Sequence, residues 1–181
     1  MPRLHPAPHL SLAACCVALS VIGLLGCSPA PEPEPTPTPA FASEEEAFAT
    51  AEETYRAYID ASNSIDLQRP ETFKAIEAFT TGKYQADERK SLSDMHAEGY
   101  LSGGAIMVES FEGLILRGDQ SVIAKACNDV SHTVLTDRDG VSLVAPDRPD
   151  RYALDLEFIL IDGSLRIASS DVAESDTCAA R

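Results

Sequence analysis

The sequence predicts an α+β domain in which N-terminal helices pack on a curved antiparallel sheet of about four strands. Three observations predict it. After residue 40 the chain first places apolar residues at helical spacing. It then alternates apolar and polar residues between tight-turn signals. Helices first and sequential strands afterwards is an α+β order.

The helices are read as follows. Ser43 with Glu46 three residues later fits a capping box, and Glu44 and Glu45 suit the positive end of a helix. Phe48, Ala51, Tyr55, Tyr58 and Ile59 form one buried stripe. The next position on it, Ser62, is polar and is followed by Asn63 and Ser64, so the helix ends there. Pro70 opens a short second helix that runs through Phe79, with Phe73, Ile76 and Phe79 on one side. Gly82 separates it from a third over 84–98, with Gly99 as the stop.

The strands follow. The apolar run 106–116 is interrupted by Glu109, Glu112 and Gly113, which predicts a bulge, and Arg117-Gly118-Asp119 makes a turn. A long strand is expected over 122–135. Its even positions, Val122, Ala124, Ala126, Asn128, Val130, His132 and Val134, form the core face, and Lys125, Cys127 and Asp129 lie opposite. Asp137-Arg138-Asp139-Gly140 is a turn. Over 152–161, Leu154, Leu156, Phe158 and Leu160 point inward while Asp155 and Glu157 point outward. Asp162-Gly163 is a two-residue hairpin signal before a last strand over 165–172. Tight turns between sequential strands imply an antiparallel meander. This order of elements resembles the nuclear transport factor-like cone fold, in which helices line the concave side of a bent sheet. The resemblance covers most of 41–181 and is one of element order.

The N-terminal 40 residues read differently. Residues 10–25, LSLAACCVALSVIGLL, carry no charge and have the length of a signal-peptide apolar region rather than of a membrane span. Arg3 and the terminal amine form a thin positive region ahead of it. The run ends in Leu24-Leu25-Gly26-Cys27. This resembles the bacterial lipoprotein lipobox: an aliphatic residue, a tolerant position, a small residue and an obligatory Cys. The resemblance implies that residues 1–26 are a signal peptide, that cleavage falls before Cys27, and that its sulfur carries a diacylglyceryl group. Two or more acyl chains anchor stably where one is marginal. In residues 28–40, SPAPEPEPTPTPA, alternating prolines exclude helix and sheet. Extended at about 3.1 Å per residue, the segment spans roughly 40 Å. The expected organisation is therefore a leader over 1–26, a lipidated Cys27 with a Pro-rich linker to residue 40, and a globular domain over 41–181.

With Cys27 acylated, as the resemblance implies, Cys127 and Cys178 are the even pair left outside the cytoplasm, where disulfides persist. They are expected to be joined. Small bacterial lipoproteins with such a domain, to which this chain is similar, carry one Cys in a long strand and one near the C-terminus.

A net charge of −15, from 14 Lys+Arg against 29 Asp+Glu, argues against nucleic acid as a partner and against electrostatic attraction to anionic lipid. Two Cys without a His partner make an incomplete zinc shell. Asp137-Arg138-Asp139-Gly140 begins like a calcium loop but lacks the later ligands. The sequence holds no nucleophile elbow, phosphate-binding loop or dinucleotide fingerprint, and it implies no cofactor, no metal and no assigned catalytic residue. His96 reads as a solvated histidine on a charged helix. Asn128 and His132, on the inward face of the long strand, are the candidate pocket residues. Tyr55, Tyr58, Tyr100 and Tyr152 read first as core aromatics. The expected function is a lipid-anchored module on the extracytoplasmic face of the cell membrane that binds an envelope protein or a small molecule without chemistry. The alternative is a small isomerase or hydratase of the cone-fold type, with His132 central; Asp129 and Asp155, pointing outward by alternation, argue against it.

Overall fold

The structure is a computed structural model and describes residues 40–118, 120–173 and 178. The expected leader, Cys27 and nearly all of the Pro-rich linker lie outside the described residues.

Helix α1 spans Glu44–Asn63 and starts where the sequence places it. The Ser43 backbone is extended, and its Oγ accepts the Glu46 N–H at 3.2 Å. The Glu46 carboxylate reaches back to the Ala42 N–H. One side chain thus satisfies an orphan donor inside the helix and the other a donor just before it. Ala47, Ala51, Tyr55, Tyr58 and Ile59 are buried. Phe48, half-buried, lies on Gly113, where any Cβ would overlap its ring. Gly113 therefore sets how closely α1 approaches the sheet. At its far end α1 is tied to the next layer by Asn63. Its amide donates to the Ile106 carbonyl and accepts the Ile106 N–H, both at 2.9 Å.

The segment opened by Pro70 is a 3-10 helix, Pro70–Ile76, shorter than the helix expected through Phe79. The chain leaves it to bond the edge of the sheet: the Ile167 N–H donates to the Phe79 carbonyl at 2.8 Å and the Thr81 N–H to the Ile167 carbonyl at 3.0 Å. Thr80, fully buried, sits between them. A strand edge that would otherwise template association is covered in this way. Helix α2 spans Gly82–Glu98 and ends in Gly99 at φ +74°, with the Tyr100 N–H bonded back to the Met95 carbonyl.

Among the described residues six strands follow: β1 Leu101–Gly103, β2 Met107–Arg117, β3 Ser121–Asp129, β4 Val134–Thr136, β5 Arg151–Ile161 and β6 Ser164–Val172. The main sheet is antiparallel in the order β2-β3-β5-β6, the four-stranded meander expected. It curves, and the helices pack on its concave side. Register shifts in β2 at Val108/Ser110 and Gly113/Ile115 let Val108, Phe111, Gly113 and Leu116 all face inward despite their uneven spacing. Asp162 and Gly163 both take positive φ, 50° and 79°, as the tight β5–β6 hairpin requires. The core joins Tyr55, Ile59, Val122, Ala124, Leu156, Phe158 and Ile167.

The long strand is also corrected. The strand foreseen over 122–135 breaks after Asp129. The Asp129 carboxylate accepts the Ser131 N–H at 2.8 Å, and the Thr133 N–H closes onto the Val130 carbonyl at 2.9 Å. A short polar side chain thereby offers the backbone a turn in place of the ladder. Beyond it β4 leaves the main sheet and pairs with β1, a second small sheet that the sequence did not announce.

The cysteine pair is joined: Cys127 and Cys178 form a disulfide with Cα atoms 5.5 Å apart. Cys127 lies between inward-facing Ala126 and Asn128, so it faces the opposite side of the sheet, and residue 178 is held there. Among the described residues no helix is long and apolar enough to cross a membrane.

Candidate functional site

Two adjoining cavities, of about 310 and 320 Å³, lie beside α1 and α2, the first against the inner face of the main sheet and the second among α1, the 3-10 helix, α2 and the small β1–β4 sheet. They share Tyr58, Ile59 and Ile106 as a common wall. The first, which we call the sheet chamber, is bounded by Tyr55, Asn128, Tyr152, Leu154 and Ser170, with exposed Val172 at its margin. The second, the helix chamber, lies between α1 and α2 and includes Glu88, Ser91, Leu92 and Met95. Both are mostly apolar with a few polar groups, the usual make-up of a small-molecule site.

Asn128 belongs to the sheet chamber because β3 alternates: Val122, Ala124 and Ala126 on the same face are core residues. It is 5% exposed. Its Nδ2 donates to the Tyr55 hydroxyl at 2.7 Å, while its Oδ1 is buried and meets no donor among the described residues. Burial pushes the Tyr55 phenol up to about 12, partly offset by the Asn128 hydrogen bond. Tyr55 therefore stays a neutral hydroxyl.

At the wall between the chambers Tyr58, from α1, meets Tyr84 and Glu88, from α2. The Tyr58 hydroxyl donates to Glu88 Oε1 and lies 2.9 Å from the Tyr84 hydroxyl. Glu88 Oε2 is buried and meets no donor among the described residues. Burial raises the Glu88 carboxyl above the usual carboxylate range, and the tyrosine hydrogen bonds oppose that rise. Burial, and then the neighbouring Tyr84 and Glu88, push the Tyr58 phenol far up. Tyr84 is raised by burial and next by the Glu88 charge. These are groups for hydrogen bonding and charge matching; none of the phenols is activated toward ionisation.

The residues foreseen from sequence fall in different places. Asn128 lines the sheet chamber, as do Tyr55, Tyr58 and Tyr152. His132 does not: it sits exposed in the turn after β3, outside both chambers, with its backbone carbonyl packed against Gly104. Its assignment to the inward face is corrected by the break at Asp129, since alternation stops where the strand stops. His96 is not solvated as expected; it is half-buried, with Nδ1 2.6 Å from the Leu67 carbonyl and its ring edge-on to Phe73. Asp155 faces away from the cavities and pairs with Lys125 at 3.2 Å across β3 and β5. The Asp137 carboxylate accepts the Asp139 and Val141 N–H groups at 2.9 and 2.8 Å, so it serves the turn.

Sequence reasoning missed Tyr84 and Glu88 as site residues. The signal was present: Tyr84, Glu88, Ser91, Leu92 and Met95 recur at helical spacing within an otherwise charged helix.

No protein-family model and no curated protein matches this sequence. Among solved structures the chain is similar to the intermembrane space region of the chloroplast protein ARC6, at 15% identity and a TM-score of 0.48, over 71% of this chain and 97% of that one. It is similar to Aln2 from a Streptomyces species, at 15% identity and a TM-score of 0.43, over 70% and 89% of the two chains. It is also similar to the TraH protein of the Gram-positive conjugative plasmid pIP501, at 5% identity and a TM-score of 0.46, over 71% and 95%. At these values none of the three assigns a family or an activity to this chain.

Proposed function

We propose that this chain is a lipid-anchored envelope protein whose domain, of the nuclear transport factor-like cone type, binds a small, mostly apolar molecule in the sheet chamber. The observation that carries the binding reading is Asn128. A buried amide oxygen without a donor costs about 1–3 kcal/mol, and here that oxygen belongs to a residue lining an apolar cavity. A ligand that brings an O–H or N–H to it removes the cost. The cone reading is supported by helices packed on the concave side of a bent antiparallel meander. The anchor reading is supported by the apolar run, Gly26-Cys27 and the alternating prolines. The domain then stands off the extracytoplasmic face of the membrane on its linker. In this reading the domain is a binding module, and His132, exposed in its turn, contributes neither acid nor base to the cavity.

The test is chemical. The full chain is purified from its own envelope and extracted with organic solvent, beside a Ser170→Phe variant that narrows the chamber. Mass spectrometry of the wild-type extract is expected to contain a mostly apolar compound with a hydroxyl or amine, depleted from the variant. Two indistinguishable extracts contradict the reading.

A further inference from the structure

We propose that the helix chamber binds the ammonium group of a small organic amine, with the Glu88 carboxylate as its counter-charge. The inference goes beyond the sheet-chamber reading and concerns the adjoining cavity.

Glu88 lies on α2, a helix without a fully buried residue, yet one of its oxygens is out of reach of water. A carboxylate withdrawn from water is costly unless charge and hydrogen bonds are matched. The protein matches only half of it: Oε1 takes the Tyr58 hydroxyl, and Oε2 takes nothing among the described residues. Among the described residues no Lys, Arg or His lines either chamber. The cations of α2 are engaged elsewhere: Lys83 with Asp87, Arg89 with Glu77 and Lys90 with Asp94. Among the described residues Glu88 has no ion-pair partner.

Three ligand chemistries can be compared. An anion would meet an unneutralised carboxylate in a chain of net charge −15, and is disfavoured. A neutral alcohol would donate to the carboxylate but leave the charge unmatched. An ammonium group supplies both the charge and several donors. Ser62 and Ser91, which line the same chamber, offer hydroxyl oxygens for the remaining N–H groups. The ring of Tyr58 is a wall of the chamber and gives a cation an aromatic surface. The rest of the lining, including Ile59, Ile65, Leu92 and Met95, suits an apolar body.

Calorimetric titration of the full chain near neutral pH separates these cases, with 2-phenylethylamine, 2-phenylethanol and phenylacetate as probes of one shape and three charges. The amine is expected to bind about tenfold or more tighter than the alcohol, as for a hydrogen bond that gains charge, and phenylacetate most weakly. Glu88→Gln keeps an acceptor for Tyr58 and is expected to bring the amine down to the alcohol's affinity. In the wild type the amine's advantage is expected to vanish as pH falls and Glu88 protonates, a readout that needs no variant. Equal binding of amine and alcohol, or an amine affinity indifferent to Glu88→Gln and to pH, overturns the amine assignment and leaves the cavity reading in place. If no probe binds, the amine assignment is overturned, and the cavity reading is decided by the solvent extract alone.

Discussion

At Glu88 the packing of α2 on α1 withdraws a carboxyl from water, and its protonation equilibrium records the cost. The folded-state value is raised, with burial the leading cause. The sign follows from linkage: the folded chain holds this proton more tightly than the unfolded chain, so the group's contribution to stability is complete at low pH and is lost as pH rises through the raised value. The stability of the wild type relative to Glu88→Gln is therefore expected to fall as pH rises through the usual carboxylate range and above it. Denaturant unfolding of both proteins across that range checks it; a difference that stays flat or grows refutes the assigned environment. At Gly113 the argument is steric. A methyl group there meets both the ring and the Cβ of Phe48, so Gly113→Ala is expected to destabilise by about 1–3 kcal/mol, as overpacking does. Asn128 was legible as an inward residue because strict alternation runs through it. His132 was misplaced because the turn depends on one short side chain, Asp129, competing with the ladder. Nothing in a period-two pattern registers that competition, although an Asp two residues before a Ser is a turn signal when weighed on its own.

At the scale of elements, α2 is held less by burial than by its ends. Arg138, in the turn after β4, donates to the Glu98 and Ala97 carbonyls at 2.9 and 3.2 Å, satisfying the last carbonyls of the helix with a positive charge at its negative end. Arg138→Ala is expected to cost about 1 kcal/mol of stability and to speed hydrogen exchange of the last turn of α2 before that of the sheet. Uniform exchange across the domain would show that the turn does not anchor the helix. The extents of α1 and of β2, β5 and β6 were readable to within a residue or so because capping, helical stripe, alternation and tight-turn residues agreed at each, whereas β3 was read past its end at Asp129. The small β1–β4 sheet was not readable: its strands of three residues are too short to carry a pattern, and Leu101 and Val134 are exposed. The 3-10 helix was read too long because Phe79, apolar and at helical spacing from Ile76, turns out to bond the Ile167 backbone at the sheet edge instead.

For the whole molecule the architecture assigns the two faces of the sheet different work. The concave face bounds the sheet chamber. The opposite face carries the disulfide that ties residue 178 to β3 across a sequence separation of 51 residues. On the chain-entropy view such a loop is worth about 4 kcal/mol; Cys178→Ser is expected to lose most of it, in parallel with reduction of the wild type, as measured by denaturant midpoint. The cysteine pair was legible only through the lipobox resemblance, which set Cys27 aside and left an even number. Acylation of Cys27 makes a separate expectation: mass spectrometry of the mature N-terminus should find a diacylglyceryl-modified Cys27, and a free thiol there removes the anchor. The central claim is that the concave cavity is where this protein meets its ligand. It is tested most directly by nuclear magnetic resonance of the isotope-labelled full chain titrated with an organic extract of its envelope. The account predicts shifts concentrated at Ile59, Ile106, Val130, Leu154 and the Asn128 side-chain amide. Shifts confined to the outer face around Lys125 and Asp155, or none anywhere, would contradict it.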